Sequence, residues 1–249
     1  MMVMIFYDMH CHVDLMRSMY EFSKLAMDEN INLLAMTTTP RAYAVEKERL
    51  RYYSNVQVAL GLHPQLLSNR FHELALIEQY IHTARFVGEI GLDFNKWFYS
   101  SKECQVDAFS QIIAWCQKSP MKIISIHSVR SDKEVLDILE KYDCTKNNKC
   151  IMHWYSGTLK QLDRAIKLDC FFSVNEYMLN SRNGRSIVQR IPVKRLLLES
   201  DAPFISNIRT VEQLKRSFTY CLNELNIIKG KEVSKDIFET SCQLLGMHL

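Results

Sequence analysis

The chain has 249 residues, 47% apolar and 24% charged, with 31 Lys and Arg against 28 Asp and Glu for a formal charge of +3. This is the composition of an ordinary globular protein, and it excludes general disorder; seven Gly and five Pro leave no room for long linkers or low-complexity segments. A pI near 8.3 lies below the ~9 typical of a dedicated nucleic-acid-binding domain, so charge alone selects no partner.

The eight cysteines include no C-x-x-C pair. That argues against a zinc ribbon or a disulfide framework and fits reduced thiols in the cytoplasm. The opening MMVMIFYD lacks a basic segment ahead of its apolar residues, and nothing later approaches the ~20 apolar residues of a membrane span. We therefore expect a cytoplasmic protein with no membrane segment.

Short β-branched or aromatic runs recur along the chain: Val3–Tyr7, Leu33–Thr38, Val56–Leu60, Phe86–Ile90, Ile123–His127, Ile151–Trp154, Phe171–Val174 and Arg195–Leu198. Between them apolar residues take helical spacing, as in Val106, Phe109, Ile113 and Cys116, or Val135, Ile138, Leu139 and Tyr142. Ser100 with Glu103, Ser131 with Glu134 and Thr158 with Gln161 read as capping boxes. Eight strand–helix units in a chain of this length predict an α/β fold of the (β/α)8 TIM-barrel type. A doubly wound sheet would place a Gly-rich turn after its first strand, where this chain has His-Cys-His. Amphipathic segments Val211–Leu225 and Val233–Met247 would complete the helical layer. No repeat or boundary is visible, so residues 1–249 are read as a single domain.

In such a barrel the C-terminal strand ends carry the chemistry. The runs here end in Asp8-Met9-His10-Cys11-His12-Val13-Asp14, Gly61-Leu62-His63-Pro64, Gly88-Glu89-Ile90-Gly91-Leu92-Asp93, Ser125-Ile126-His127-Ser128, His153-Trp154-Tyr155-Ser156-Gly157 and Glu199-Ser200-Asp201-Ala202-Pro203. Residues two apart on a strand share a face, so His10 and His12 can hold one cation together. Alone, an H-x-H is more often accidental than a metal site. The arrival of Glu89, His127, His153 and Asp201 at other strand ends changes that balance, because mixed imidazole and carboxylate donors suit zinc, manganese and hydrolytic metal pairs.

The elements DMHCHVD, GLHP, GEIGLD, SIHS, HWYSG and ESDAP resemble, in order and spacing, the TatD-like metal-dependent deoxyribonucleases of the amidohydrolase superfamily. GLHPQ, LNSRNG and GRSIVQRIPVKRLLLESDAPF look most like the QatD branch, found in Qat anti-phage defence clusters. The resemblance implies two divalent metal ions (Mg²⁺, Mn²⁺ or Zn²⁺). His10, His12 and Asp201 would hold one, Glu89 would bridge, and His127 and His153 would complete the second. It also implies a water activated by both ions, with Asp201 relaying its proton and Glu199 supporting that carboxylate.

The implied substrate is DNA, single-stranded or at 3′ ends, with His63 and Arg130 as candidate phosphate contacts and protein partners from a Qat-type cluster. Arg41, Lys96, Arg182 and Arg185 are further cationic candidates, although solvated surface is the plainer role for most of them. Trp97, Phe98, Tyr99, Trp154, Tyr155 and Phe204 could stack bases or pack. Asp93 and Asp8 could accept from histidine N–H groups. The chain departs from the family pattern at Gln65, where many relatives have a third histidine; at Ser241, where an Asn is expected; and in the short passage from Asp201 to the helix at Val211. These departures keep two alternatives open: a small-molecule amidohydrolase or deacylase, and a metal-binding subunit of a defence complex.

Overall fold

A computed structural model of the chain describes residues 5–246. Eight strands alternate with helices: β1 (Phe6–Cys11), β2 (Ile31–Met36), β3 (Val56–Ala59), β4 (Phe86–Asp93), β5 (Ile123–Val129), β6 (Lys149–His153), β7 (Phe171–Val174) and β8 (Leu196–Leu198). The described residues form two compact units, one within Met1–Met36, Glu46–Val58 and Phe172–Leu249, the other Thr37–Val45 with Ala59–Phe171.

In the first unit β1 pairs in parallel with β2, from Phe6 opposite Ile31 to Cys11 opposite Ala35, and the register shifts between Asp8 and Cys11. Strands β7 and β8 pair in parallel from Phe172 opposite Leu196 to Val174 opposite Leu198. The last strand returns to the first: the Asp201 N–H donates to the His10 carbonyl, and the His12 N–H to that of Ala202, both at 2.8 Å. Met9, Leu33, Leu34 and Phe218 are fully buried in this unit. The helix Val211–Lys229 opens on a complete capping box between Thr210 and Gln213.

In the second unit β4 pairs in parallel with β5, and β5 with β6. Leu60 bridges to Val87 beside them. Gly91 has φ +139°, and a Cβ there would lie 2.1 Å from the His127 carbonyl oxygen, so only glycine lets β4 approach β5 at this point. The β4–β5 register shifts between Val87 and Ile90, on either side of Glu89; such irregularities re-aim side chains near functional sites. Helix Lys102–Lys118 buries Ala108, Phe109, Ile112, Ile113 and Cys116, and helix Asp132–Lys141 buries Val135, Leu136, Ile138 and Leu139.

Several boundaries differ from those expected. Val3 and Met4 of the first run, and Met247 of the last helix, lie outside the described residues. Strand β1 runs on to Cys11 through Asp8 and His10, and β4 runs on to Asp93, because these polar residues are buried with partners and need no solvent. Thr158 caps its helix by accepting from the Gln161 N–H. Ser131 instead donates to the Leu92 carbonyl at 2.8 Å, and the helix after Ser100 begins at Lys102 with no side-chain cap. All eight cysteines are free thiols. Among the described residues no helix is long and apolar enough to cross a membrane.

Candidate metal-binding groups

His10, His12 and Asp201 come together in the first unit, each offering a ligand atom within 4.8 Å of the others, and all three are buried. His10 Nε2 and His12 Nε2 stand 3.7 and 3.5 Å from the same oxygen, Asp201 Oδ1. Asp201 adopts a left-handed φ of 47°. The backbone bonds from Asp201 to His10 and from His12 to Ala202 set the three side chains side by side.

Asp8 supports this arrangement from behind. Its carboxylate accepts from the Ser200 N–H at 2.9 Å, the Ser200 hydroxyl at 2.5 Å and the His10 N–H at 3.2 Å. Burial pushes its pKa up to about 7, against the pull of those hydrogen bonds. Glu199, fully buried, accepts from Asn175 Nδ2 at 2.7 Å and from the Ser173 hydroxyl. Its neighbours are thus hydrogen-bond donors of β7 and the turn after it.

A second group, His63, Glu89 and His127, forms in the other unit. Three imidazoles converge on Glu89 Oε1: His127 Nδ1 at 2.7 Å, His63 Nε2 at 3.3 Å and His153 Nε2 at 3.7 Å. The other ring nitrogen of His127 lies 3.1 Å from Asp93 Oδ2, which also accepts from Gln65 Nε2 at 2.7 Å. Burial alone would lower the His127 pKa, but its bonds to Asp93 and Glu89 prevail and lift it to about 9. Burial also works to raise the Asp93 pKa, but bonds from His127, Gln65 and the Asn95 N–H hold it below the usual carboxylate value.

The structure thus brings His10, His12 and Asp201 into one group and gathers Glu89, His127 and His153 in another. It adds His63, which sequence reasoning placed only as a phosphate contact or turn residue. His63 Nδ1 accepts from the Gln65 N–H at 3.2 Å, a turn contact, while Nε2 faces Glu89. Its place after β3 in Gly61-Leu62-His63-Pro64 was the signal available.

Arg130 is exposed at the end of β5 with a left-handed φ of 55°. Arg41 pairs with Glu73 at 3.3 Å and Arg185 with Glu224, so both have structural partners. Tyr155 is buried and donates to the Thr158 carbonyl at 2.9 Å, which makes it a packing residue.

These donors fit a divalent cation. Each group mixes neutral-capable imidazole with carboxylate, the first fully buried and the second half-buried at His63 and His127, and in the second Asp93 fixes the ring of His127.

The model of the family described as "TatD related DNase" matches residues 7–246, and the chain belongs to that family. It is a TatD-family metal-dependent hydrolase. An uncharacterized metal-dependent hydrolase of Buchnera aphidicola is 26% identical over 223 residues, 80% of this chain and 81% of its own length. The 3′-5′ ssDNA/RNA exonuclease TatD of Escherichia coli K12 is 26% identical over 189 residues, 72% of this chain and 71% of its own length. The crystal structure of YJJV, a TatD homologue from E. coli K12, superposes with a TM-score of 0.84 at 22% identity, covering 98% of each chain. The fold is accordingly the parallel-sheet α/β fold of the TIM-barrel type.

Proposed function

We propose that the chain is a nuclease that hydrolyses phosphodiester bonds of single-stranded nucleic acid, DNA in the first instance, at its 3′ end. The reading rests above all on groups of His and carboxylate donors, buried or half-buried, in a TatD-family chain. A relative 26% identical bears the name of a 3′-5′ ssDNA/RNA exonuclease, which supports the substrate class.

In this reading two divalent ions (Mg²⁺, Mn²⁺ or Zn²⁺) bind. One takes His10, His12 and Asp201; the other takes Glu89 with His127 and His153. Bound ions of this kind lower the pKa of water and neutralise charge on a phosphodiester. The chain's own residues do the rest. Asp201 accepts the proton of the attacking water, and Glu199, locked by Ser173 and Asn175, keeps β8 rigid behind it. Asp93 fixes the ring of His127. His63 and Arg130 contact the substrate phosphate.

The likeness of GLHPQ and the segment 184–204 to the QatD branch supports a finer element of the proposal, action in the cytoplasm beside partner proteins of an anti-phage defence cluster. Co-purification from a co-expressed cluster tests that element separately.

The direct test is cleavage of single-stranded DNA in Mg²⁺ or Mn²⁺ by the wild type and by Glu89→Gln. We expect cleavage that the substitution abolishes while the folded state persists. Activity unchanged in the variant removes Glu89 from the chemistry, and turnover of amides or esters with no nucleic acid cleaved replaces the reading with an amidohydrolase.

A further inference from the structure

We propose that Phe204 is the platform on which the terminal base of the substrate stacks, so that the enzyme selects an unpaired nucleotide by its base as well as by its phosphate. The proposal rests on the nuclease reading above and adds the contact that would recognise a single strand.

Phe204 is 63% exposed, three residues beyond Asp201. A single exposed phenylalanine needs no explanation in general. This one is distinguished by how it is held and by what it touches. Its ring stands edge-to-face with the imidazole of His12, at 5.2 Å between centroids and 79° between planes, and so lies in van der Waals reach of the His10, His12 and Asp201 group.

The backbone on either side is pinned. The Phe204 N–H donates to the Asp201 carbonyl at 2.8 Å, closing a tight turn. Ile205 and Ile208, 1% and 2% exposed, anchor the following segment, and the Ser206 hydroxyl donates to Glu176 at 2.5 Å. The ring is therefore displayed by an ordered loop, with its ordering cost met in folding rather than in binding.

A phosphate bound beside His12 puts its own nucleotide's base within reach of such a ring. Base–aromatic stacking is tolerant of sequence because every base offers a π-face. It also requires a base free of its duplex neighbours, which selects single strands and frayed ends.

The test compares kcat/KM on two single-stranded oligodeoxynucleotides, identical except that one carries a base at its 3′-terminal residue and the other an abasic residue there. The enzymes are the wild type, Phe204→Ala, Phe204→Leu and Phe204→Trp, with bound metal measured in each. We expect the wild type to favour the base-bearing substrate by roughly 5- to 150-fold. Phe204→Ala and Phe204→Leu should lose that preference while keeping the abasic rate and the metal content, and Phe204→Trp should retain it. Phe204→Leu keeps bulk against His12 without a π-face, so a fall caused only by disturbing the histidine would spare it. Equal losses on both substrates, or no preference in the wild type, overturns the proposal while leaving the nuclease reading intact. A wild type that cleaves neither oligonucleotide overturns the nuclease reading, and the platform with it.

Discussion

Ser200 donates to Asp8 twice, through its N–H at 2.9 Å and its hydroxyl at 2.5 Å, across 192 residues of chain. The contact joins the end of the last strand to the first, between the two histidines of β1 and its exit on one side and Asp201 on the other. The same hydroxyl oxygen accepts from the Ala202 N–H at 3.1 Å. Ser200→Ala leaves a buried N–H and a buried carboxylate oxygen each short of a partner. We predict a loss of ~1–3 kcal/mol in urea unfolding; unchanged stability would show that the bond contributes nothing net.

Glu46 is buried, and neither of its carboxylate oxygens has a hydrogen-bond partner among the described residues. Burial, with the charge of Asp14 adding to it, pushes its pKa up to about 8 from 4.5. Below the lower value the folded and unfolded chains both hold the proton. Between the two values only the folded chain does, so stability falls as pH rises, by at most about 1.4 kcal/mol per pH unit. Glu46→Met should flatten that decline and raise Tm more at the alkaline end than at the acid end. A variant whose Tm follows the wild type at every pH would place the proton elsewhere.

Asp93 holds His127 at 3.1 Å and is itself held by Gln65 at 2.7 Å. Substituting the outer partner of a metal-binding histidine typically weakens metal affinity or activity 10–100-fold. Asp93→Asn should fall in that range by chelator competition, and Gln65→Ala should fall less because it only steadies Asp93. Equal, negligible effects would mean that the His127 ring is fixed by other contacts.

Gly91 sets the distance between β4 and β5. Gly91→Ala forces a Cβ to 2.1 Å from the His127 carbonyl oxygen at a φ of +139°. We predict destabilisation by more than about 3 kcal/mol, read as a lowered urea midpoint or as insoluble protein. A soluble variant with wild-type stability would show that the two strands can separate cheaply.

Much of this was legible from the residues themselves. The run Phe171–Val174 is a strand at the expected bounds, and His10, His12 and Asp201 meet as their positions at strand ends imply. What was hidden depends on long-range geometry. The register shifts around Asp8–Cys11 and Val87–Ile90 leave no mark in apolar periodicity, yet they flank His10 and Glu89. His63 looked like a turn residue because only the packed structure shows its Nε2 beside Glu89. The ion pairs of Arg41 with Glu73 and of Arg185 with Glu224 were hidden because the partners are remote in sequence. Ser131 resembled a cap but bonds Leu92 on β4 instead, a competition between local and tertiary acceptors that sequence cannot resolve.

Metal content of the purified chain, reconstituted with Mn²⁺ or Zn²⁺ and freed of loose ions, decides most directly between chemistry and mere ancestry. Two ions per chain are expected in the wild type, with one lost in Asp201→Asn and the other in Glu89→Gln. A chain that binds no ion, or that keeps both ions in each variant, would contradict the assignment of these groups as the seats of hydrolysis.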